Sequence, residues 1–418
     1  MGRRDRWSAR DTKAEGTRPL GISRPPLHVL HVTLPTPPYD LASYRHRIPL
    51  LRTTIPLNNC SQAPQSDDTR RAALTYLDSW NTVGTDWDAW MAEVERTRGA
   101  FASLIGAAPD EIAVSSSVSE ATSSLATALE PHGRRHRIVA THAEFPTVGH
   151  VWLAQERRRL GVDWVPVTDG AVRIEDYDPL LDDRTLLVSA THGYYQTGAL
   201  QDLRAIAARA HEAGALLYVD AYQTLGTRPL DVKALDLDFL ASGTLKFLMG
   251  MPGIAFLYVK PEVAERLHPT VTGWFGRTNP FAFDATTLDW ASGARRFDTG
   301  TPPIMNAAVA RAGIEWITSV GPGPIGAWTE ALSRRLVEGG RSRGFDVMGT
   351  TDSRYKAPTT AFRVRDPPAT ETAMRERGIL TSARGPAIRL APHFYNTIEE
   401  IDRALDTLAD VVPPEARA

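Results

Sequence analysis

The chain has 418 residues, 42% hydrophobic and 23% charged, with a formal net charge of −2. These values fit a globular protein long enough for two unequal domains, and they argue against a general binder of nucleic acid or of anionic membrane surfaces. No apolar run approaches the roughly 20 residues of a membrane span, and the single cysteine, Cys60, allows neither an internal disulfide framework nor a cysteine-built zinc site.

The first 27 residues are charged, contain Pro and Gly, and lack the apolar core of a signal peptide. They read as a flexible, solvated arm on a cytoplasmic protein. A large domain is expected over residues 28–303. Within it, residues 68–105 read as helical and carry Trp80, Trp87 and Trp90. The segment AVSSSVSEATSS (113–124) reads as a strand end running into a helix. Next come RIVATH (137–142), VDWVPV (162–167), TLLVSATH (185–192), GALLYVD (214–220) and DFLAS (238–242), all strand-like. Amphipathic patterns at 147–161 and 200–214 separate several of them, which implies parallel strands with helical crossovers. GIAFLYV (253–259) follows DFLAS with no helix between and is expected to run antiparallel. From residue 304 to 418 the rhythm changes: helices near 304–319 and 324–341, strands in FDVMG, TTAFRV and AIRLAP, a helix near 370–377 and another from about 398. This reads as a smaller α+β domain.

Two residues of opposite charge stand out at strand ends. Asp220 closes the apolar run GALLYVD, and in open parallel sheets the carboxyl ends of the strands face the ligand crevice. Read alone, Asp220 is also a natural helix N-cap. Lys246 lies just past DFLAS in SGTLKFLMGMPG, between Leu245 and Phe247. Only five of the 47 basic residues are lysines: Lys13, Lys233, Lys246, Lys260 and Lys356. Lys246 read alone is also a snorkelling surface lysine. In apolar surroundings, however, its charged form loses solvation, and the amine becomes the nucleophile that Schiff-base formation requires. An acid that keeps a pyridine nitrogen protonated would complete the needs of pyridoxal phosphate chemistry. The serine-rich start of the 113–124 helix offers N–H groups and a dipole for an anion such as phosphate. A chain of this type would hold no metal.

In this order the motifs resemble the class V aminotransferase-like family of fold-type-I pyridoxal phosphate enzymes, which includes cysteine desulfurases, kynureninase and an isopenicillin N epimerase-like branch. The resemblance spans roughly residues 55 to 411. It implies an α/β large domain around a mainly parallel, seven-stranded-type sheet with a smaller α+β domain at the carboxyl end. The cofactor would be pyridoxal 5'-phosphate, and the active sites would be shared across a homodimer. LNNCSQAP (57–64) resembles the opening motif and puts Asn59 near the substrate. SSVSE (116–120) places Val118 and Ser119 at the phosphate. EFPT (144–147) makes Phe145 the ring-stacking residue, as in kynureninase. VDAYQ (219–223) gives Asp220 to the pyridine nitrogen and Gln223 to the phenolic oxygen. SGTLK supplies Lys246 for the imine and for proton transfer at Cα, with Ser242 and Thr244 both standing as the phosphate hydroxyl. GWFGRTNPF (273–281) places Trp274 near the substrate. TGTPP (299–303) would send Thr301 to the neighbouring subunit's phosphate, and AIRLAPHFYNT (387–397) would bind the substrate carboxylate through Arg389, whose fork of donors suits that task.

Departures from the family pattern narrow the chemistry. The ring-stacking position holds Phe145 where desulfurases carry histidine, and GILTSARGPAIRL has no desulfurase cysteine before Arg389. The expected reaction is therefore a β-elimination of C–S lyase type on a cysteine-derived L-amino acid, in specialised (antibiotic-type) metabolism. An aminotransferase, a decarboxylating deaminase, an amino-acid epimerase and a non-catalytic cofactor-binding protein stand as alternatives. His192 and His393 read as structural rather than as bases.

Overall fold

The structure is a computed structural model and describes residues 35–417, so the N-terminal arm read over residues 1–27 lies outside the described residues. The chain divides after Pro35, and the fold is that of the compact unit beginning at Thr36.

Its centre is a 7-stranded sheet in the order Ile112–Ser115, Ala255–Val259, Phe239–Gly243, Leu216–Asp220, Thr185–Thr191, Arg137–Thr141, Gly161–Val165. The last five are mutually parallel. Ala255–Val259 runs antiparallel to both of its neighbours, as the missing crossover helix requires. These strands read as nearly continuous apolar runs because both faces are covered. Period-two alternation decides what each face carries. Leu217 and Val219 enter one apolar cluster together with Leu203, Ile206 and Ala210 of the helix Leu203–Glu212. Tyr218 turns the other way, into a second cluster with Ala121, Leu125 and Val148. Asp220, two residues past Tyr218, thus shares the face covered by the helices Val118–Ala128 and Pro146–Leu153.

A 4-stranded antiparallel sheet forms the carboxyl-terminal layer, in the order Ser382–Arg384, Ala387–Leu390, Thr360–Arg363, Val347–Met348. Helices Pro322–Ser342 and Ile398–Val411 pack against it around Leu336, Phe362, Ile388 and Leu405. The second of these begins with a capping box between Thr397 and Glu400. Ile55–Pro56 pairs in parallel with Ile379–Leu380, which ties the start of the described chain to this layer.

Some boundaries differ from those read in the sequence. The helical stretch at 68–105 is two helices, Asp67–Val83 and Trp87–Leu104. Gly84 breaks it with a φ of 76°, and Asp86 caps the second helix through Ala89 N. The pattern at 147–161 is a helix only to Leu153, and a tighter 3-10 segment follows to Arg158. Arg159, at φ 66°, then turns the chain into the next strand. Helix Ile304–Val320 packs on Asp67–Val83 and Trp87–Leu104. No helix among the described residues is long and apolar enough to cross a membrane.

Candidate active site

Two neighbouring parallel strands bring the central pair together. Asp220 ends one of them, buried, and its Oδ1 accepts the Tyr222 amide at 2.9 Å. Lys246 follows the adjacent strand, Phe239–Gly243. Its Nζ lies 4.1 Å from the centroid of the Tyr222 ring and 5.6 Å from that of Phe145. Tyr222 can approach because Gly243 carries no Cβ; one built there would collide with the tyrosine ring. Burial pulls the Lys246 ammonium down to about 8, and nearby Asp220 opposes that fall. Burial likewise raises the Asp220 carboxyl, against the Tyr222 amide and Lys246. The amine is thus readily neutral and the acid sits against a cation, which is the electrostatic setting for imine chemistry.

Around Lys246 opens a cavity of about 340 Å³. It is lined by Val118, Ser119, Phe145, Asp220, Gln223 and Arg389, all read from the sequence, and by Cys60, Ser61, Tyr195, Tyr222 and Arg384, which were not. At one end stands the amino terminus of helix Val118–Ala128. Ser117 caps it by accepting Glu120 N at 3.1 Å, and the Glu120 carboxylate takes Ser116 N at 2.9 Å. Val118 and Ser119 keep amides with no protein partner among the described residues, as the first turn of a helix leaves them. At the other end Arg389 is buried and clamped. Its Nη1 donates to Tyr195 O, and its Nη2 to Ser382 Oγ at 2.7 Å and Ser61 Oγ at 3.3 Å. Its Nε is buried with no partner.

The donor set can be tested against pyridoxal 5'-phosphate. The Phe145 ring is 39% exposed and open for stacking. Gln223 Nε2 donates to Cys60 O at 3.2 Å, while its buried Oε1 is left without a partner. With the free amides, the unpaired Lys246 amine and the orphaned Arg389 Nε, the cavity offers a group for each part of the cofactor and for an amino-acid carboxylate. The residues fit.

Other residues read from the sequence do not converge here. Ser242 Oγ donates to Gly243 O at 3.0 Å and Thr244 Oγ1 to Met251 O at 3.2 Å; both are buried off the cavity lining, so neither hydroxyl is free. Asn59 is buried as a brace, donating to Ala391 O at 2.8 Å and accepting from the Tyr395 hydroxyl. Its neighbours Cys60 and Ser61 meet the cavity instead. Trp274 joins an aromatic cluster with Trp87, Phe281 and Phe283. Thr301 is exposed and does not line its own chain's cavity. His192 Nδ1 faces Thr224 Oγ1 at 2.8 Å and His393 Nε2 faces Phe247 O at 2.9 Å, so both are engaged structurally. Lys356 is also buried, donating to Thr197 O at 2.8 Å, and burial lowers it to about 7; it too is off the cavity.

A further acid went unread. Glu144 turns inward behind Phe145, where Oε1 accepts the Ser189 hydroxyl at 3.0 Å, and that hydroxyl accepts Trp152 Nε1 at 2.9 Å. Oε2 is buried with no partner. Burial, and then the charge of Asp220, pushes the Glu144 carboxyl up to about 8. Its place in EFPT was visible in the sequence, but its inward direction follows only from the packing of Pro146–Leu153 on the sheet.

The sequence model of the family described as aminotransferase class-V matches residues 75–403. The uncharacterized aminotransferase YcbU of Bacillus subtilis (strain 168) is 38% identical over 368 residues, covering 88% of this chain and 96% of that protein. A kynureninase of Burkholderia mallei (strain SAVP1) is 29% identical over 356 residues, covering 81% of this chain and 82% of its own. Among solved structures, the apo cysteine desulfurase of Thermococcus onnurineus NA1 superposes with a TM-score of 0.82 over 90% of this chain and 98% of that one. At 23% identity that likeness is one of fold. The chain belongs to the aminotransferase class-V family of fold-type-I enzymes that depend on pyridoxal phosphate.

Proposed function

We propose that this enzyme breaks a Cβ–S bond in an L-cysteine conjugate. Lys246 would hold the cofactor, Asp220 its pyridine nitrogen, Gln223 its phenolic oxygen and Val118 and Ser119 its phosphate, with Phe145 against the ring. When bound, pyridoxal phosphate supplies the electron sink that accepts the charge left at Cα.

The protein's own residues supply the rest. Arg389 receives the α-carboxylate on its unpartnered Nε and so fixes which Cα bond is presented to Lys246. Tyr222 and Phe145 flank the Lys246 amine. The amine takes the proton from Cα, the Cβ–S bond breaks, and the sulfur leaves as a thiolate that is then protonated. The aminoacrylate released is hydrolysed by water to pyruvate and ammonia. The observation that carries this reading is that, among the described residues, Lys246 is the one unengaged amine of the cavity, whereas His192 and His393 are bonded elsewhere. Elimination needs one base at Cα, and the Lys246 amine supplies it. The absence of a cysteine between residues 378 and 390 speaks against persulfide-forming desulfuration.

An aminotransferase is the second reading, favoured by the name of the relative at 38% identity. Incubation with S-substituted L-cysteines separates the two. Elimination yields pyruvate, ammonia and one equivalent of thiol; transamination yields an oxo acid with the sulfur retained and leaves the cofactor as its amine form. The reading also includes a cytoplasmic homodimer in specialised metabolism. Thr301 supports the dimer: it is exposed and lies off its own cavity, as a residue serving the neighbouring subunit's phosphate would. Sedimentation should give a two-chain mass.

A further inference from the structure

We infer that Arg384 and Arg389 together form a clamp for two anionic groups, so that the substrate is an L-amino acid whose side chain carries a second carboxylate. This rests on the reading of the cavity given above.

Ser382 lies opposite Arg389 in the antiparallel pair formed by Ser382–Arg384 and Ala387–Leu390. Opposed residues share a face, and so do residues two apart on a strand. Arg384 therefore projects from the same face as Ser382 and Arg389, about 7 Å farther along the strand. Both guanidiniums line the Lys246 cavity, but in different states. Arg389 is 1% exposed and held by Tyr195, Ser61 and Ser382. Arg384 is exposed at the rim, and its single protein hydrogen bond among the described residues is from Nη1 to Ala383 O at 3.2 Å. Among the described residues no Asp or Glu forms an ion pair with it, although surface arginines of this chain such as Arg184 and Arg354 are paired.

The local charge points the same way. Lys246, Arg384 and Arg389 line the cavity against one carboxylate, that of Asp220. Both arginines act against the charge on Lys246. An anion entering beside Arg384 relieves that crowding, and a guanidinium fork suits a carboxylate. Arg389 takes the α-carboxylate at depth and Arg384 the distal one at the mouth. The phosphate is served at the opposite end, by the helix starting at Val118.

The test uses binding and is independent of which bond later breaks. Holoenzyme is titrated with three acid–amide pairs: L-aspartate and L-asparagine, L-glutamate and L-glutamine, and S-carboxymethyl-L-cysteine and S-carbamoylmethyl-L-cysteine. The change in the cofactor's visible absorption gives Kd. At least one acid should bind roughly tenfold to a hundredfold tighter than its amide, the range for a hydrogen bond to a charged partner. Arg384→Ala should abolish the preference and leave the Kd of the amide unchanged, and Arg384→Lys should restore part of it. Equal binding within all three pairs overturns the inference, as does a preference that survives in Arg384→Ala. If none of the six changes the spectrum of a holoenzyme that shows its absorption band, the reading of the cavity fails and the inference with it.

Discussion

Replacing Glu144 by glutamine isolates one buried proton. The carboxyl has an ordinary value of 4.5 and is raised to about 8 by burial and by Asp220. In the unfolded chain it loses its proton above 4.5, while the folded protein retains it until about 8. Its contribution to stability is therefore complete below 4.5 and is lost as pH rises through the folded value. Integrating between pH 7 and pH 9 gives a loss of about 1 kcal/mol, within a full span of several kcal/mol. Glutamine keeps the shape, does not titrate, and loses nothing over that interval. Lys246 and Lys356, lowered to about 8 and about 7, titrate in the same window with the opposite sign, but they are common to both proteins and cancel in the difference. Urea unfolding of the cofactor-free protein at pH 7, 8 and 9, followed by tryptophan fluorescence, measures it. The stability of Glu144→Gln relative to wild type should rise by about 1 kcal/mol from pH 7 to pH 9. A difference that stays constant across that range would mean that Glu144 is already ionised at pH 7 and would refute the reasoning.

The remaining predictions concern the cavity. Lys246→Ala should remove the band near roughly 420 nm expected of a lysine-bound pyridoxal cofactor, and should reduce turnover by several orders of magnitude; absorption and product assays read both. Arg389→Lys keeps the charge but loses the Nε donor and the bonds that hold the guanidinium in place, so the KM for the amino acid should rise roughly tenfold or more, with a smaller effect on kcat, in steady-state kinetics. Gly243→Ala drives a methyl group into the Tyr222 ring and should cost about 1–3 kcal/mol in urea unfolding, with a displaced visible band because Tyr222 lies over Lys246. Mixing Thr301→Ala with Lys246→Ala subunits should restore activity in a fraction of mixed dimers if Thr301 serves the neighbouring site, whereas no recovery argues for sites complete within one chain.

The large sheet was legible because its strands are long apolar runs punctuated by amphipathic helices, and because Ala255–Val259 lacked a preceding helix. Strand ends marked Asp220 and Lys246 for the same reason: chemistry gathers where parallel strands stop. The short strands Ile379–Leu380 and Ser382–Arg384 are too brief for any periodicity to register, and with them Arg384 went unread. Ser242 and Thr244 show the opposite failure. Their closeness to Lys246 in sequence made them candidates, yet their hydroxyls are consumed by backbone carbonyls. Asn59 likewise stands one residue before the cavity-lining Cys60, and its amide braces two segments 332 residues apart. Tyr222 and Glu144 sat inside quoted motifs without a role, because the direction of a side chain depends on packing that no local pattern encodes.

The claim that organises the site is that Lys246 is the residue to which the cofactor is joined. Treating the holoenzyme with borohydride fixes that linkage as a stable secondary amine, and peptide mass spectrometry then locates it. Lys356 is the natural competitor, being fully buried and lowered to about 7. The account predicts the pyridoxyl adduct on the peptide containing Lys246 and on no other. An adduct on Lys356, or a labelled peptide that persists in Lys246→Ala, would contradict it.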